Sequence, residues 1–90
     1  MSRISWDDAV LDEHRGKVRV TVLLVRAPWG EGVEAMLGFR RRHVDGPEWV
    51  GDYQHDTLRV RQWWGDRRSR ETLEAACKLA DELFAWEGAS

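Results

Sequence analysis

Arginine and tryptophan are the residues of this chain with the most distinctive chemistry. The segment from Leu58 to Phe84 reads LRVRQWWGDRRSRETLEAACKLADELF, so a tryptophan pair stands among several arginines. A guanidinium group neutralises a phosphate or pairs with a carboxylate. An indole ring stacks on a base or fills a pocket in a protein partner. The pattern predicts a binding surface formed by Arg59, Arg61, Trp63, Arg67 and Arg68.

The charge of the chain is unevenly distributed, although the formal net charge is only −2. Residues 15–70 carry a balance of +5, whereas residues 1–14 carry −3 and residues 71–90 carry −4. A basic middle between acidic ends indicates partners more than it indicates a fold. We therefore expect nucleic acid or an acidic protein surface as the partner. An ordinary solvated surface is the alternative for any single arginine.

Three segments have the period-two alternation that is typical of β-strands. The strongest, KVRVTVLLVR at residues 17–26, is rich in β-branched residues. TLRVRQWW at residues 57–64 alternates apolar and basic side chains. Residues 33–43 alternate in the same way, but part of this segment would also tolerate a helix. It is predicted as a strand, with a helix as the alternative.

Two helices are expected around these strands. At the C-terminus, Ser69 or Thr72 can serve as N-cap and Gly88 can end the helix. At the N-terminus, SWDD has the form of a capping box and predicts a short helix that ends at Gly16. The apolar stripe of the C-terminal helix is expected to consist of Leu73, Ala76, Cys77, Ala80, Leu83 and Phe84.

These elements predict one α+β domain over residues 1–90. A three-stranded antiparallel sheet, with a fourth strand left open, would have one face covered by the C-terminal helix. The expected core residues of the sheet are Val18, Val20, Val22, Leu24, Val33, Leu37, Phe39, Leu58 and Val60, with Trp64 on the same side. Alternation then sends the other side chains to the uncovered face. The candidate site residues on that face are Arg19, Arg40, Arg42, Arg59, Arg61 and Trp63.

The predicted layout resembles the arm-site-binding domains of phage-type tyrosine integrases. The ending GDRRSRETLEAACKLADELF resembles the last strand and helix of double-stranded-RNA-binding domains. Both likenesses cover about a third of the chain and rest on a strand–turn–helix order that many folds share. They imply nucleic-acid binding but do not identify a family.

No arrangement of residues in the sequence predicts catalysis, a metal site or a cofactor. GEGVEA, at residues 30–35, matches a dinucleotide fingerprint, but ninety residues leave no room for the repeated βαβ units that such a site needs. The three histidines and Cys77 lack metal-ligand spacing. A buried structural thiol is the expected state of Cys77.

Two functions are the main hypotheses for a non-enzymatic binding module, and a small-molecule or carbohydrate role for the exposed tryptophans is a lesser alternative. The first is nucleic-acid binding through the arginines and Trp63. The second is a small regulatory or inhibitor protein, of the phage type, that binds a protein partner. No apolar run has the length of a membrane span, and the single cysteine favours a reducing, cytoplasmic setting. An exposed edge strand leaves a homodimer open.

Overall fold

The fold consists of an antiparallel sheet and one C-terminal helix. A computed structural model describes residues 9–27, 29–30, 32–43, 53–66 and 69–86, with the backbone alone at residues 43 and 53–57. Its elements are β1 (Ala9–Arg15), β2 (Val18–Arg26), β3 (Glu34–His43), β4 (Tyr53–Trp63) and α1 (Arg70–Ala85). The strand order is β1-β2-β3-β4, and all neighbouring pairs are antiparallel. The α+β class and the antiparallel sheet are therefore confirmed.

The N-terminal helix prediction is wrong for residues 9–15, which form β1. Gly16 adopts φ +59° in the turn between β1 and β2. This left-handed conformation suits glycine, and it brings Arg15 opposite Val18 in a tight hairpin. The backbone of β1 thus bonds to β2 rather than along a helix, and β1 makes the sheet four-stranded. The SWDD capping box lies outside the described residues.

Residues 34–43 form a strand because both of their neighbours are strands. The connection from β2 is closed by the Ala27 N–H, which donates to the Val33 carbonyl at 2.9 Å, and Gly32 adopts φ +70° there. β3 then pairs with β2 along its length, from Glu34 opposite Arg26 to Arg42 opposite Val18. On its other side it pairs with β4. The central position of β3 settles the choice between strand and helix.

α1 packs mainly on β2 and β3 and covers one face of the sheet. Gly38 of β3 lies directly beneath it: a Cβ added there would lie 2.6 Å from Leu83 Cδ1 and 3.0 Å from Leu79 Cδ2. The missing side chain lets the helix lie close to the strand. The buried residues of this core are Val20, Val22, Leu24, Met36, Ala76, Leu79, Ala80 and Leu83.

The apolar stripe of α1 is rotated from its predicted position. Thr72 and Leu79 are buried against the sheet, whereas Leu73 is 48% exposed and Cys77 is exposed. A threonine was missed as a core residue because its hydroxyl makes it polar, but here the hydroxyl is hydrogen-bonded. Ser69 is the N-cap, as one of the two predictions had it, and its side chain accepts from the Thr72 N–H at 3.2 Å. The predicted end at Gly88 lies outside the described residues.

Candidate binding surface at edge strand β4

The register of the sheet decides on which face each predicted site residue lies. Val20 and Val22 contact α1, and they stand opposite Arg40 and Gly38 on β3. Gly38 in turn stands opposite Arg59 on β4, and residues two apart share a face. The predicted position on the uncovered face is therefore wrong for most of the site residues, which lie on the α1 side: Arg40, Arg42, Arg59, Arg61 and Trp63.

The error arose on β3 and β4, where the apolar residues were assigned to the core. Phe39 stands opposite Leu58, and Leu37 stands opposite Val60, so all four lie on the side of the sheet opposite α1. We call this side the far face. Leu58 is 48% exposed and Val60 is 49% exposed, so neither is a core residue. On β4 the alternation itself was predicted correctly, but the face that was expected to meet α1 is the one that lies away from it.

Arg19 does lie on the far face, but an acidic neighbour binds it. Its Nε donates to Asp12 Oδ1 at 2.8 Å, and its Nη2 donates to Asp12 Oδ2. The Thr21 hydroxyl also donates to Oδ1, at 3.2 Å. The hydrogen bond from Arg19 is the main reason that the pKa of Asp12 lies below its ordinary value. A guanidinium held in this bidentate way is a poor phosphate ligand, because a phosphate bound at the same edge would break the pair.

Arg41 is an arginine of the far face that the sequence analysis did not include among the site residues. It is only 2% exposed on the far face, and its Nη2 donates to the Thr21 hydroxyl. Leu23, Ala35 and Phe39 are also buried on this face, although no described helix or strand lies over them. In a run of three arginines on a strand, the middle one must point away from its two neighbours. That rule could have separated Arg41 from Arg40 and Arg42.

Trp63 is part of the fold, and its neighbour Trp64 is the exposed tryptophan. The Trp63 indole Nε1 donates to the Thr72 hydroxyl at 2.9 Å, which ties the end of β4 to the first turn of α1. A Cβ added at Gly65 would lie 2.8 Å from the same indole ring. Trp64, by contrast, is 75% exposed. Because the two faces of β4 were assigned the wrong way round, Trp63 was predicted on the uncovered face and Trp64 on the core side. The structure shows the reverse.

The remaining predicted site residues do not gather into one surface. Arg40 is buried, with its guanidinium 6.0 Å from the centre of the Trp86 ring, while Arg42 is exposed. Arg67 and Arg68 lie outside the described residues. The binding roles of all these residues stay predictions, but the structure separates those on the α1 side from Arg19 on the far face.

β4 is the described strand that combines exposed apolar and exposed basic side chains. It lies at the end of the strand order, and none of the described strands pairs with its outer edge. Leu58 and Val60 are exposed on the far face, while Arg59 and Arg61 are exposed on the α1 side. Arg61 Nη2 lies 3.7 Å from Glu82 Oε1. We call the outer edge of β4 with these four side chains the β4 edge surface.

Comparison with known proteins adds no name to this surface. No protein-family model, no curated protein and no solved structure matches the chain. In the described ranges, no cluster of three or more histidine, cysteine and acidic side chains is placed to hold a metal ion. No helix in the same ranges is long and apolar enough to cross a bilayer.

Proposed function

We propose that this protein is a small, non-enzymatic binding module that binds a protein partner through the β4 edge surface, in a regulatory or inhibitory role. The observation that carries the proposal is the half-exposed pair Leu58 and Val60 on an edge strand of eleven residues. Sheet edges of this length offer a row of backbone donors and acceptors to another chain. Partner binding would cover the edge and the apolar pair together.

The composition of the β4 edge surface supports a protein partner. Tryptophan and arginine are enriched among interface residues that dominate binding energy, and the surface contains Arg59 and Arg61, with the exposed Trp64 three positions after Arg61. Burying the exposed halves of Leu58 and Val60 would contribute roughly 1.5–3 kcal/mol in total. A cytoplasmic setting is part of the proposal, since the single cysteine, Cys77, is an exposed free thiol.

Nucleic-acid binding is the second candidate, on the α1 side of the sheet. The observation that favours it is the exposure there of Arg42, Arg59 and Arg61, with Lys78 exposed on α1. These cations could contact phosphates. One observation weakens this candidate relative to the first: the indole Nε1 of Trp63 is bonded to Thr72 within the fold.

Selection from a display library of random extended peptides tests the first candidate and does not require that the partner be identified beforehand. We expect the wild-type protein to enrich peptides, and Leu58→Ser with Val60→Ser to abolish the enrichment. Leu73→Ser is the matched control, because Leu73 is exposed to the same extent but lies on α1 and is not part of the β4 edge surface. If the wild type enriches nothing, or if the β4 double variant enriches the same peptides, the proposal fails.

A further inference from the structure

We infer the chemistry of the partner from the two faces of β4: an extended segment in which apolar and acidic residues alternate, added to the sheet as a fifth strand. The inference rests on the proposed function and specifies what the β4 edge surface selects. In strand addition, backbone hydrogen bonds supply affinity, and alternate side chains supply specificity. Because side chains alternate between faces, the added strand would present one set to Leu58 and Val60 and the other set to Arg59 and Arg61.

On the far face, the apolar pair continues an apolar surface that starts inside the sheet. Leu58 is the cross-strand neighbour of Phe39, and Val60 is the cross-strand neighbour of Leu37. Phe39 is buried, but the burial stops at β4, where both side chains are about half exposed. Apolar residues two positions apart on a fifth strand would lie about 5 Å from them and complete this surface.

On the α1 side, two exposed arginines occupy the matching positions. Arg59 is exposed, and Arg61 has a carboxylate, Glu82, at 3.7 Å on α1. The contact with Glu82 shows that a carboxylate can approach this guanidinium from the helix side. Acidic residues two positions apart on a fifth strand would meet both arginines, and opposite charges directly across a sheet stabilise the pairing. The partner sequence thus alternates apolar, acidic, apolar, acidic.

Charge argues against a second copy of this chain as the occupant. A two-fold axis perpendicular to the sheet keeps the faces together, so Arg59 and Arg61 of both copies would crowd onto one face of two adjacent strands. Like charges on adjacent strands are destabilising. A two-fold axis within the sheet would instead set Leu58 and Val60 beside arginines and leave them without apolar neighbours. Neither arrangement satisfies both faces of β4, whereas an acidic and apolar strand does.

Three fluorescein-labelled peptides of equal length test the inference by fluorescence anisotropy. The first alternates valine and glutamate, the second alternates valine and lysine, and the third has the composition of the first in separate blocks. We expect the first to bind with a Kd about tenfold lower than either of the others, which is what two cross-strand charge pairs near the top of their usual range provide. Equal affinity for the first two peptides would overturn the inference, as would tight binding of the block peptide.

A charge reversal on β4 supplies the decisive comparison. The double variant Arg59→Glu and Arg61→Glu should prefer the lysine peptide over the glutamate peptide, whereas Lys17→Glu, which alters an exposed residue in the β1–β2 turn, should keep the wild-type preference. Thermal melts of both variants check that they are folded. An unchanged preference in the folded double variant would overturn the inference.

Two outcomes separate this inference from the proposed function. Enrichment of peptides that depends on Leu58 and Val60 but shows no acidic alternation would leave the proposed function in place and overturn the inference alone. A wild-type dimer in sedimentation that is lost in Val60→Ser would make a second copy the occupant and would also overturn the inference. Preferential binding of DNA or RNA at the same arginines would have the same consequence.

Discussion

At the scale of single residues, polar side chains that the sequence offers for binding are used within the fold. Asp12 binds Arg19, and Thr21 links Asp12 to Arg41. On the other side of the sheet, Trp63 donates to Thr72. Each of these bonds stabilises the fold and reduces what the residue can offer a partner.

The Asp12–Arg19 pair should make stability depend on pH. The pKa of Asp12 is lowered in the folded protein, so the pair stabilises the fold above the ordinary carboxyl pKa of about 3.9 and loses its effect as the pH falls through the folded value. Asp12→Asn should therefore cost about 1 kcal/mol or less at pH 7, because the pair is partly exposed, and nothing at strongly acidic pH. Urea unfolding at both pH values measures this. An equal loss at both would mean that the charge is not the cause.

The Trp63–Thr72 hydrogen bond should be measurable as a loss of stability. Trp63→Phe keeps an aromatic ring but removes the donor, and we expect a loss of about 1 kcal/mol in the free energy of unfolding. Trp64→Phe is the control, because Trp64 is 75% exposed and should leave stability unchanged. If the two variants were equally stable in chemical denaturation, Trp63 would not have the structural role assigned to it.

At the scale of elements, the approach of α1 to the sheet depends on the small residue beneath it and on the orientation of its stripe. Gly38 leaves room for Leu79 and Leu83, and Thr72 is buried at the start of the helix. The same orientation leaves Leu73 and Cys77 exposed. The buried stripe of the helix is therefore narrow and consists of Thr72, Ala76, Leu79, Ala80 and Leu83. A substitution at any of these contacts is expected to lower the stability of the protein.

Gly38→Ala should destabilise the protein although alanine is only one carbon larger. The added Cβ would lie 2.6 Å from Leu83 Cδ1, and the leucines around it are buried and cannot move freely. We expect a loss of about 1–3 kcal/mol, the usual cost of overpacking a core. Gly30→Ala is the control, since its added Cβ would come no closer than 3.4 Å to its nearest neighbour. Differential scanning calorimetry of both variants tests the prediction, and a stable Gly38→Ala protein would contradict it.

Aspartate substitutions should distinguish the buried side of α1 from its exposed side. Leu79→Asp places an unpaired charge in the core and should unfold the protein, whereas Leu73→Asp should be tolerated within about 0.5 kcal/mol. Circular dichroism melts measure both.

Cys77 offers a second measurement in the native protein: its thiol should react rapidly with a thiol reagent, because it is exposed. Slow labelling and an unfolded Leu73→Asp protein would mean that the stripe predicted from the sequence was right.

At the scale of the whole molecule, the basic residues are divided between the two sides of the sheet. Arg19 and Arg41 lie on the far face, and Arg40, Arg42, Arg59 and Arg61 lie on the α1 side. Part of this charge is neutralised by Asp12 and Glu82. The described residues therefore do not present the single basic face that strong nucleic-acid binding favours.

Nucleic-acid binding should accordingly be weak at physiological salt. We expect labelled single-stranded and duplex DNA and RNA to bind measurably only at low salt, with a steep salt dependence. Tight binding at physiological salt would favour the second candidate. In that case Arg59→Ala should flatten the plot of log K against log salt by about one unit, since one phosphate contact contributes roughly −0.7 to −0.9. Lys17→Ala is the matched control for Arg59→Ala, because it also removes one positive charge but in the β1–β2 turn.

The kinds of element and their order follow from local sequence signals over much of the chain. β-Branched residues in β2, turn residues after it, and an N-cap before α1 act locally, so the strands and the C-terminal helix could be predicted. β1 could not, because its alternation is weak and its strand conformation depends on bonds to β2. The same dependence on neighbours decided that residues 34–43 form a strand.

Which face of each strand meets the helix depends on tertiary packing. A period of two divides a strand into two faces but does not say which one is covered. β3 has apolar residues on both faces, and the face that meets α1 contains Gly38, which no hydrophobic pattern marks. Once Gly38 fixes the position of α1, pairing places Leu58 and Val60 on the far face and the β4 arginines beside the helix. Packing between elements therefore determines which side chains lie on each face of the β4 edge surface. Once one strand has a face against α1, the hydrogen-bond register fixes the corresponding face of every other strand.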